Sequence, residues 1–530
     1  MPNTETTVVR STFRHAAVIV PPLRDFYFTK HRFSSLGAEI VATLLRKSGI
    51  HVDFLNFPLM KPEGVRIEIP DALNYLKPHI IPEETGRLSF FTHFRQFGPS
   101  AEQCISMIDA VKPEICFLSV FAFCYADDAI ELAEKIKAKL PAVPLVAGGA
   151  GVNAYPGYFL KKKAIDFALC GEAEVCLTPF LREISRPEPD FSRVPNLVRK
   201  ENCAVLPSPL RAYASDKEIE PALVKTSESA RRVTFSTSLM RGCPKKCDFC
   251  SSTLLFGNTI RTLPVNRLDD FLAAHSKEIN RAGKQVTINF EDDNLLCDRQ
   301  FFKSSLALFR KHFPGVSFIA ENGIDYSLLT PEWCEWLVRN SMRKFNLSLA
   351  STAPEILAKQ GRFLFPERYE KTIAFLAEKG IQSVTYFICG FKEDTIESTA
   401  DNLVYLYNKQ TDIGISLFYA VPGLPRFPDT ALFDRSPSLL CLGSAAFPWN
   451  NSLSTETMIT AFRLSRYLNL KKSPMLSETE KQLLRTIENR KRLHTLIKKK
   501  SGERTIVEVP KQDKELVKLF FNRKKNTPHA

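Results

Sequence analysis

The sequence predicts an α/β protein: an open, mostly parallel sheet domain, then six strand–helix units, then a mainly helical basic segment. Three observations carry this. Between residues 16 and 174, continuous apolar runs alternate with amphipathic stretches of helical period. From 233 to about 425, a strand pattern followed by a helix pattern repeats six times, as a parallel sheet with right-handed crossovers requires. Beyond 425 the alternation stops and positive charge accumulates.

Taken in order, AAVIVPP (16–22) reads as a buried strand stopped by Pro-Pro. A polar, aromatic loop follows over 24–32. SLGAEIVATLLRK (35–47) reads as a helix with Leu36, Ile40, Leu44 and Leu45 on one stripe, ended by Gly49. HVDFLNFP (51–58) is a second strand. Residues 59–110 are less regular, with a helix near 100–111. ICFLSVFAF (115–123) has the continuous apolar character of a central parallel strand. DDAIELAEKIKAKL is the helix after it, PLVAGGAGVNAYP a strand entering a glycine-rich loop, and AIDFALCGEAE (164–174) the last strand of the domain. The proline-containing stretch 186–230 reads as a linker.

VTFSTSLM (233–240) opens the repeated part. The later strands read KQVTINFEDDN, VSFIAENGIDY, KFNLSLAS, SVTYFICGF and DIGISLFYAVPG. Six units are too few for a closed eight-stranded barrel. The C-terminal stretch through LHTLIKK reads as helical, IVEVP hints at one short strand, and NRKKNTPHA reads as disordered. The resulting division is 1–185, 186–230, 231–430 and 431–530.

An apolar fraction of 44% with 25% charged residues is that of a globular protein in water. The start carries no secretory pattern, and no apolar run approaches the ~20 residues that span a bilayer. The expected location is cytoplasmic. Thirteen scattered cysteines do not form a disulfide framework. The last 50 residues hold 15 Lys and Arg against 5 Asp and Glu, which accounts for 10 of the 14 excess positive charges. A nucleic-acid partner for that tail is one reading; a solvated helical surface is the simpler one, because no aromatic residues interleave a basic face.

The chemistry concentrates in Arg241-Gly-Cys-Pro-Lys-Lys-Cys-Asp-Phe-Cys250, which places Cys243, Cys247 and Cys250 in the spacing C-x3-C-x2-C. A loop turned by Gly242 and Pro244 aims thiolates at one point, which suits a soft metal, iron–sulfur or zinc. A structural zinc site wants four protein ligands, and no fourth Cys or His lies nearby. Three ligands from one loop point to a 4Fe–4S cluster with one iron open. Lys245 and Lys246 inside the loop would ease its reduction, or serve only the solubility of an exposed loop.

This loop, with Phe249 before the last cysteine and an apolar strand ahead of it, resembles the radical S-adenosylmethionine (SAM) family. The resemblance implies a partial (β/α)6 barrel, a 4Fe–4S cluster whose open iron chelates SAM, and reductive cleavage of SAM to a 5′-deoxyadenosyl radical. It also implies roles at the strand tips. Glu291 first, and Asp292 second, would bind the SAM amino group. Apart from the resemblance, the polar tips Glu321, Asn322, Asp325, Ser348 and Ser351 could reach ribose or substrate, or be ordinary loop polarity. Ile388 and Gly390, in the pattern Ile388-x-Gly390-x-x-Glu393, would flank adenine, and Phe249 would offer its backbone to the adenine edge.

The first domain resembles the Rossmann-like cobalamin-binding domain that precedes the radical SAM core in two-domain enzymes, at Ser119-Val-Phe121, Ala147-Gly-Gly-Ala-Gly-Val152 and Asp166-Phe-Ala-Leu-Cys-Gly-Glu172. Phe121, Gly148, Gly149, Gly151 and Glu172 would then line the cobalamin. The D-x-H-x-x-G motif that supplies an axial His elsewhere is absent; the alternative is a ligand-free domain acting as a lid. Together these resemblances imply a cobalamin-dependent methyltransferase that modifies an unactivated carbon of a small molecule or lipid, with a flavodoxin- or ferredoxin-type reductant. Rearrangement, cyclisation or other C–H functionalisation without methyl transfer is the second reading. A non-catalytic iron–sulfur or RNA-binding protein is the third.

Overall fold

A computed structural model of the chain describes residues 12–27, 29, 33–201 and 204–526. The loop expected over 24–32 lies partly outside the described residues. The first sheet contains β1 (His15–Val20), β2 (His51–Asn56), β3 (Ile115–Ser119), β4 (Leu145–Gly148) and β5 (Phe167–Leu169), all parallel. Their spatial order is β2-β1-β3-β4-β5. The order reverses between β1 and β3, and ligands in such sheets bind in the crevice beyond the carboxyl ends at that switch point. Helices α1 (Leu36–Lys47), α2 (Ala101–Val111), α3 (Ala126–Lys139) and α4 (Ala173–Ile184) cover the faces. Ser100 and Gln103 close a reciprocal capping box on α2, which fixes its start.

The stretch expected as a linker contributes three strands to the two sheets. Residues β6 (Leu197–Glu201) and β7 (Ala204–Pro207) extend the first sheet antiparallel beyond β5, and β8 (Val224–Glu228) pairs antiparallel with the first strand of the second unit. Short strands with prolines at their ends read as linker because an edge strand tolerates proline and shows little periodicity.

The second unit has six parallel strands: β9 (Arg232–Thr237), β10 (Gln285–Phe290), β11 (Ser317–Ile319), β12 (Lys344–Ala350), β13 (Gln382–Cys389) and β14 (Asp412–Leu417). Parallel bridges Phe318–Met342 and Ile324–Leu347 join β11 to β12, so the arc is continuous. Helices α5 (Val265–Arg281), α6 (Arg299–His312), α7 (Pro331–Arg339), α8 (Pro366–Glu378) and α9 (Ile396–Tyr407) wrap its outside. The helix-facing sides of the strands bury Ile288, Phe290, Phe318, Leu347 and Phe387, each at 1% exposure or less, with Phe290 and Phe318 packed on Phe309 of α6.

The C-terminal part differs most from expectation. Helices α10 (Thr455–Lys472) and α11 (Glu478–Arg490) are followed by a hairpin, β15 (His494–Lys498) with β16 (Arg504–Glu508), and then α12 (Lys514–Asn526). The stretch HTLIK is therefore a strand; β-branched Thr495 and Ile497 face Val507 and Thr505 across the hairpin. Asn522–Asn526 continue α12 instead of being disordered, and 527–530 lie outside the described residues. The hairpin gains a third strand from far upstream, Glu84–Thr85. The same segment supplies Glu84, which is fully buried against Arg463 of α10. Nη2 of Arg463 donates to the Glu84 carboxylate at 3.0 Å, and Nη1 also donates to Leu88 O at 3.2 Å. Removing one member of a buried pair strands the other charge. Arg463→Ala is expected to cost about 3–5 kcal/mol, seen as a lower denaturation midpoint, and Arg463→Lys to recover part of it. No helix among the described residues is long and apolar enough to cross a membrane.

Candidate functional site

The cysteine loop is built on backbone anchors. Met240–Arg241 pairs antiparallel with Arg261–Thr262, closing the base of the loop. Gly242 follows with φ +83, and a Cβ there would lie 2.4 Å from Thr259 O, so only glycine fits. The Gly242 N–H donates to Asp293 at 3.1 Å, and the Cys250 N–H donates to Cys247 O at 3.1 Å. Held this way, Cys243, Cys247 and Cys250 line one cavity of about 380 Å³ at the carboxyl ends of the second unit's strands. Burial pushes the Cys250 thiol up to about 11 and raises that of Cys247. Thiols bind metal as thiolates, so loading this loop releases protons and is favoured as pH rises. Asn294 Nδ2 donates to Cys243 Sγ at 3.7 Å.

The other predicted residues divide. Phe249 and Ile388 line the cysteine cavity, with Tyr386, Ser348, Asp293, Asn294 and Asn322. The Phe249 ring lies 5.2 Å from that of Phe391. Three predicted residues turn away from it. Ser351 is fully buried, and its hydroxyl accepts the Ala353 N–H at 3.1 Å. Gly390 packs on Met458 and Phe418, and its N–H donates to Asp394 at 2.8 Å. Asp292 is buried and accepts the Leu239 and Met240 N–H groups at 2.8 and 2.6 Å. It anchors the loop and does not reach the cavity; Asp293 is the acid that does. Glu291 faces a different cavity, where it accepts Asn289 Nδ2 at 3.3 Å.

Asp292 Oδ2 has no partner, as a protonated carboxyl allows. Burial pushes Asp292 up from 3.8 to about 7. The folded protein therefore keeps a proton there, between about pH 4 and 7, that the unfolded chain has released. The contribution of this group to stability is full below pH 4 and is lost as pH rises toward 7. Asp292→Asn keeps the acceptor and removes the charge, so the slope of stability against pH across that window is expected to flatten in denaturant titrations.

The second cavity, about 430 Å³, opens at the switch point of the first sheet. Gly148, Gly149, Phe121, Ser34 and Glu291 line it. Gly149 has φ +98, and a Cβ would lie 2.6 Å from Val120 O, so the chain passes close to the β3 tip only as glycine. Gly151 does not line the cavity; it packs on the backbone of Ala122. Phe121 is 39% exposed at the mouth and meets Phe33 edge-on with ring centroids 5.0 Å apart. Glu172 sits at the cavity edge, but its carboxylate is turned into protein. It accepts Arg261 Nη1 at 2.7 Å and the Ala214 N–H at 3.0 Å, and it lies 3.8 Å from Arg241 Nε. Asp293 and Asn322 line both cavities, which meet there.

Two residues escaped the sequence reading. Arg362 lines the cysteine cavity and donates to Ser348 Oγ at 3.2 Å. It lies in a loop with no periodic signal. Arg426, 8% exposed, joins Asp248 of the cysteine loop (2.8 Å) to Glu393 of the β13 tip (3.1 Å). Thus Glu393 is held by an arginine. Lys245 pairs with Asp325, which offsets much of the positive charge that its place in the loop suggested.

Residues 237–405 match the model of the Radical SAM superfamily. Among curated proteins, the chain is 26% identical over 191 residues to bacteriochlorophyllide d C-12(1)-methyltransferase of Chlorobaculum tepidum, covering 36% of this chain and 41% of that one. It is 28% identical over 186 residues to the cobalamin-dependent radical SAM methyltransferase TokK of Streptomyces tokunonensis, covering 32% and 27%. The chain thus spans less than half the length of these two relatives. Among solved structures, it shares its fold with the radical SAM methyltransferase TsrM of Kitasatospora setae, bound there to cobalamin and a 4Fe–4S cluster, with TM-score 0.57 at 14% identity over 78% of this chain and 74% of that one.

Proposed function

We propose that this chain, whose residues 237–405 are a radical SAM domain, is a cobalamin-dependent radical SAM methyltransferase acting on an unactivated carbon of a small molecule. One observation carries this reading: a cavity lined by three thiols and a cavity at the switch point of the first sheet meet at Asp293 and Asn322. Cofactors held in the two would face each other across that junction.

The residues present fit both groups. Three thiols in one cavity, with no fourth protein ligand supplied by the loop, match a cluster with an open iron. The second cavity has a glycine-built floor and an aromatic mouth, which fits the close approach of a corrinoid. When bound, the cluster supplies the electron that cleaves SAM, and the cobalamin carries the methyl group. The chain supplies position and exclusion of water. Cys243, Cys247 and Cys250 would hold the cluster; Asp293, Ile388 and Phe249 line the same cavity, where Asp293 would meet the SAM ammonium and Ile388 and Phe249 the adenine. Arg426 and the Asp292–Asp293 pair clamp the two sides of the loop, so its thiols keep one geometry. An external one-electron donor is required.

Anaerobic reconstitution with iron, sulfide and cobalamin, followed by SAM and dithionite, tests this. The expected results are 5′-deoxyadenosine release and cobalamin retained through gel filtration. A full cluster without 5′-deoxyadenosine sinks the enzyme reading. SAM cleavage without cobalamin retention moves the reaction to C–H functionalisation without methyl transfer.

A further inference from the structure

At the opposite end of the first sheet from both cavities, two histidines and a carboxylate share one small surface. His15 begins β1 and His51 begins β2, the edge strand. The parallel register pairs His15 with His51 and Ala17 with Asp53. Because strand side chains alternate, residues in register, and residues two apart on one strand, project to the same face. His15, His51 and Asp53 therefore stand together as a consequence of the register alone. His15 Nε2 lies 2.5 Å from Asp53 Oδ2, and His51 Nε2 lies 3.9 Å from the same oxygen. One ligand atom from each of the three falls within 4.8 Å of the others, and the imidazole centroids are 4.8 Å apart. Among the described residues, the only ion-pair partners of Asp53 are these two imidazoles.

We propose that His15, His51 and Asp53 form a His2Asp site for a borderline divalent transition metal, with Zn²⁺ as its representative. Two imidazoles and one carboxylate suit zinc, nickel or cobalt; a single carboxylate without carbonyl partners does not suit calcium or magnesium. Tetrahedral zinc with bonds of about 2.0–2.1 Å sets its ligand atoms about 3.3 Å apart. The observed separations bracket that spacing, and His51, with 74% of its side chain exposed, is free to close the remaining distance. The exposed side leaves a fourth position for water. Remoteness from the cavities makes the site structural: the metal ties edge strand β2 to β1, adding a cross-strand bond where a parallel edge pair has one neighbour only.

The test uses the cluster-loaded full chain, made without a polyhistidine tag and desalted free of excess iron. Calorimetric titration with Zn²⁺ is expected to show one equivalent bound through nitrogen and oxygen, with zinc K-edge absorption giving ligand distances near 2.0 Å and no sulfur shell near 2.3 Å. His51→Ala and Asp53→Ala are expected to weaken binding by at least ~10-fold, and Zn²⁺ should raise the denaturation midpoint of the parent but not of His51→Ala. His51 is exposed, so this variant leaves the core untouched. Equal affinity in parent and variants, a sulfur shell, or no saturable binding each overturns the proposal. The outcome does not depend on SAM cleavage, so the reading of the cavities stands or falls separately.

Discussion

Replacing any one of Cys243, Cys247 and Cys250 by Ala abolishes the broad visible absorbance of the reconstituted protein and lowers SAM cleavage to the uncatalysed background. The three thiols share one cavity, and nothing else in the loop can substitute as a soft ligand. Cys297 is the control. It is half-buried near Cys243, its thiol pushed up to about 11 by burial, and it does not line the cavity. Cys297→Ala therefore retains full absorbance. Asn294→Ala, which removes the N–H donated to Cys243 Sγ, keeps the cluster but lowers its midpoint potential, because hydrogen bonds to sulfur stabilise the reduced, more negative state. A visible spectrum, an iron count and a redox titration on the five variants decide this. Full iron content in a Cys243→Ala protein contradicts the assignment.

Glu172→Gln loosens the joint between the two units. Glu172 was expected to touch a cofactor, and it lines the cavity edge, but its carboxylate holds Arg261 and stands 3.8 Å from Arg241, two residues before Cys243. Glu174 adds a second acid 3.9 Å from Arg241. Both arginines are largely buried, with side-chain exposures of 6% and 12%. Removing the charge leaves Arg261 without its acid and Arg241 with Glu174 alone, at a cost of up to about 3–5 kcal/mol. The expected results are faster amide exchange in 239–262, loss of cluster during desalting, and a lower denaturation midpoint. Arg261→Lys, which keeps the charge but not the planar fork that reaches Glu172, Ala214 O and Phe256 O together, shows a smaller effect of the same sign. Exchange rates and cluster retention equal to the parent would rule out the clamp.

Both predictions start from residues visible in the sequence, yet only the first has a role visible there. C-x3-C-x2-C states its chemistry within eight residues, because three thiols that close must share a ligand or clash over one. The acidic run Glu291-Asp-Asp-Asn294 shows the limit. Alternation along β10 tells which residues face inward while the strand lasts. It stops at Phe290, and beyond it the turn sends Glu291 to one cavity, Asp292 into the loop base and Asp293 to the junction. Glu393 likewise matched a pattern but proved to be held by Arg426, a residue 33 positions away.

By itself the sequence determined the α/β class, the six-unit arc, the thiol loop and the glycine-built strand tips, since each rests on spacing within one element or one turn. Tertiary structure alone decided that the presumed linker completes two sheets, and that HTLIK is a strand paired through β15 to Glu84–Thr85. It also placed Asp293 where the two cavities meet and turned Glu172 into a tie between units. The physical reason is the same in each case. Local conformation follows from neighbouring residues, whereas a strand edge or a buried charge accepts any complementary partner, and which partner arrives depends on the packing of the whole chain.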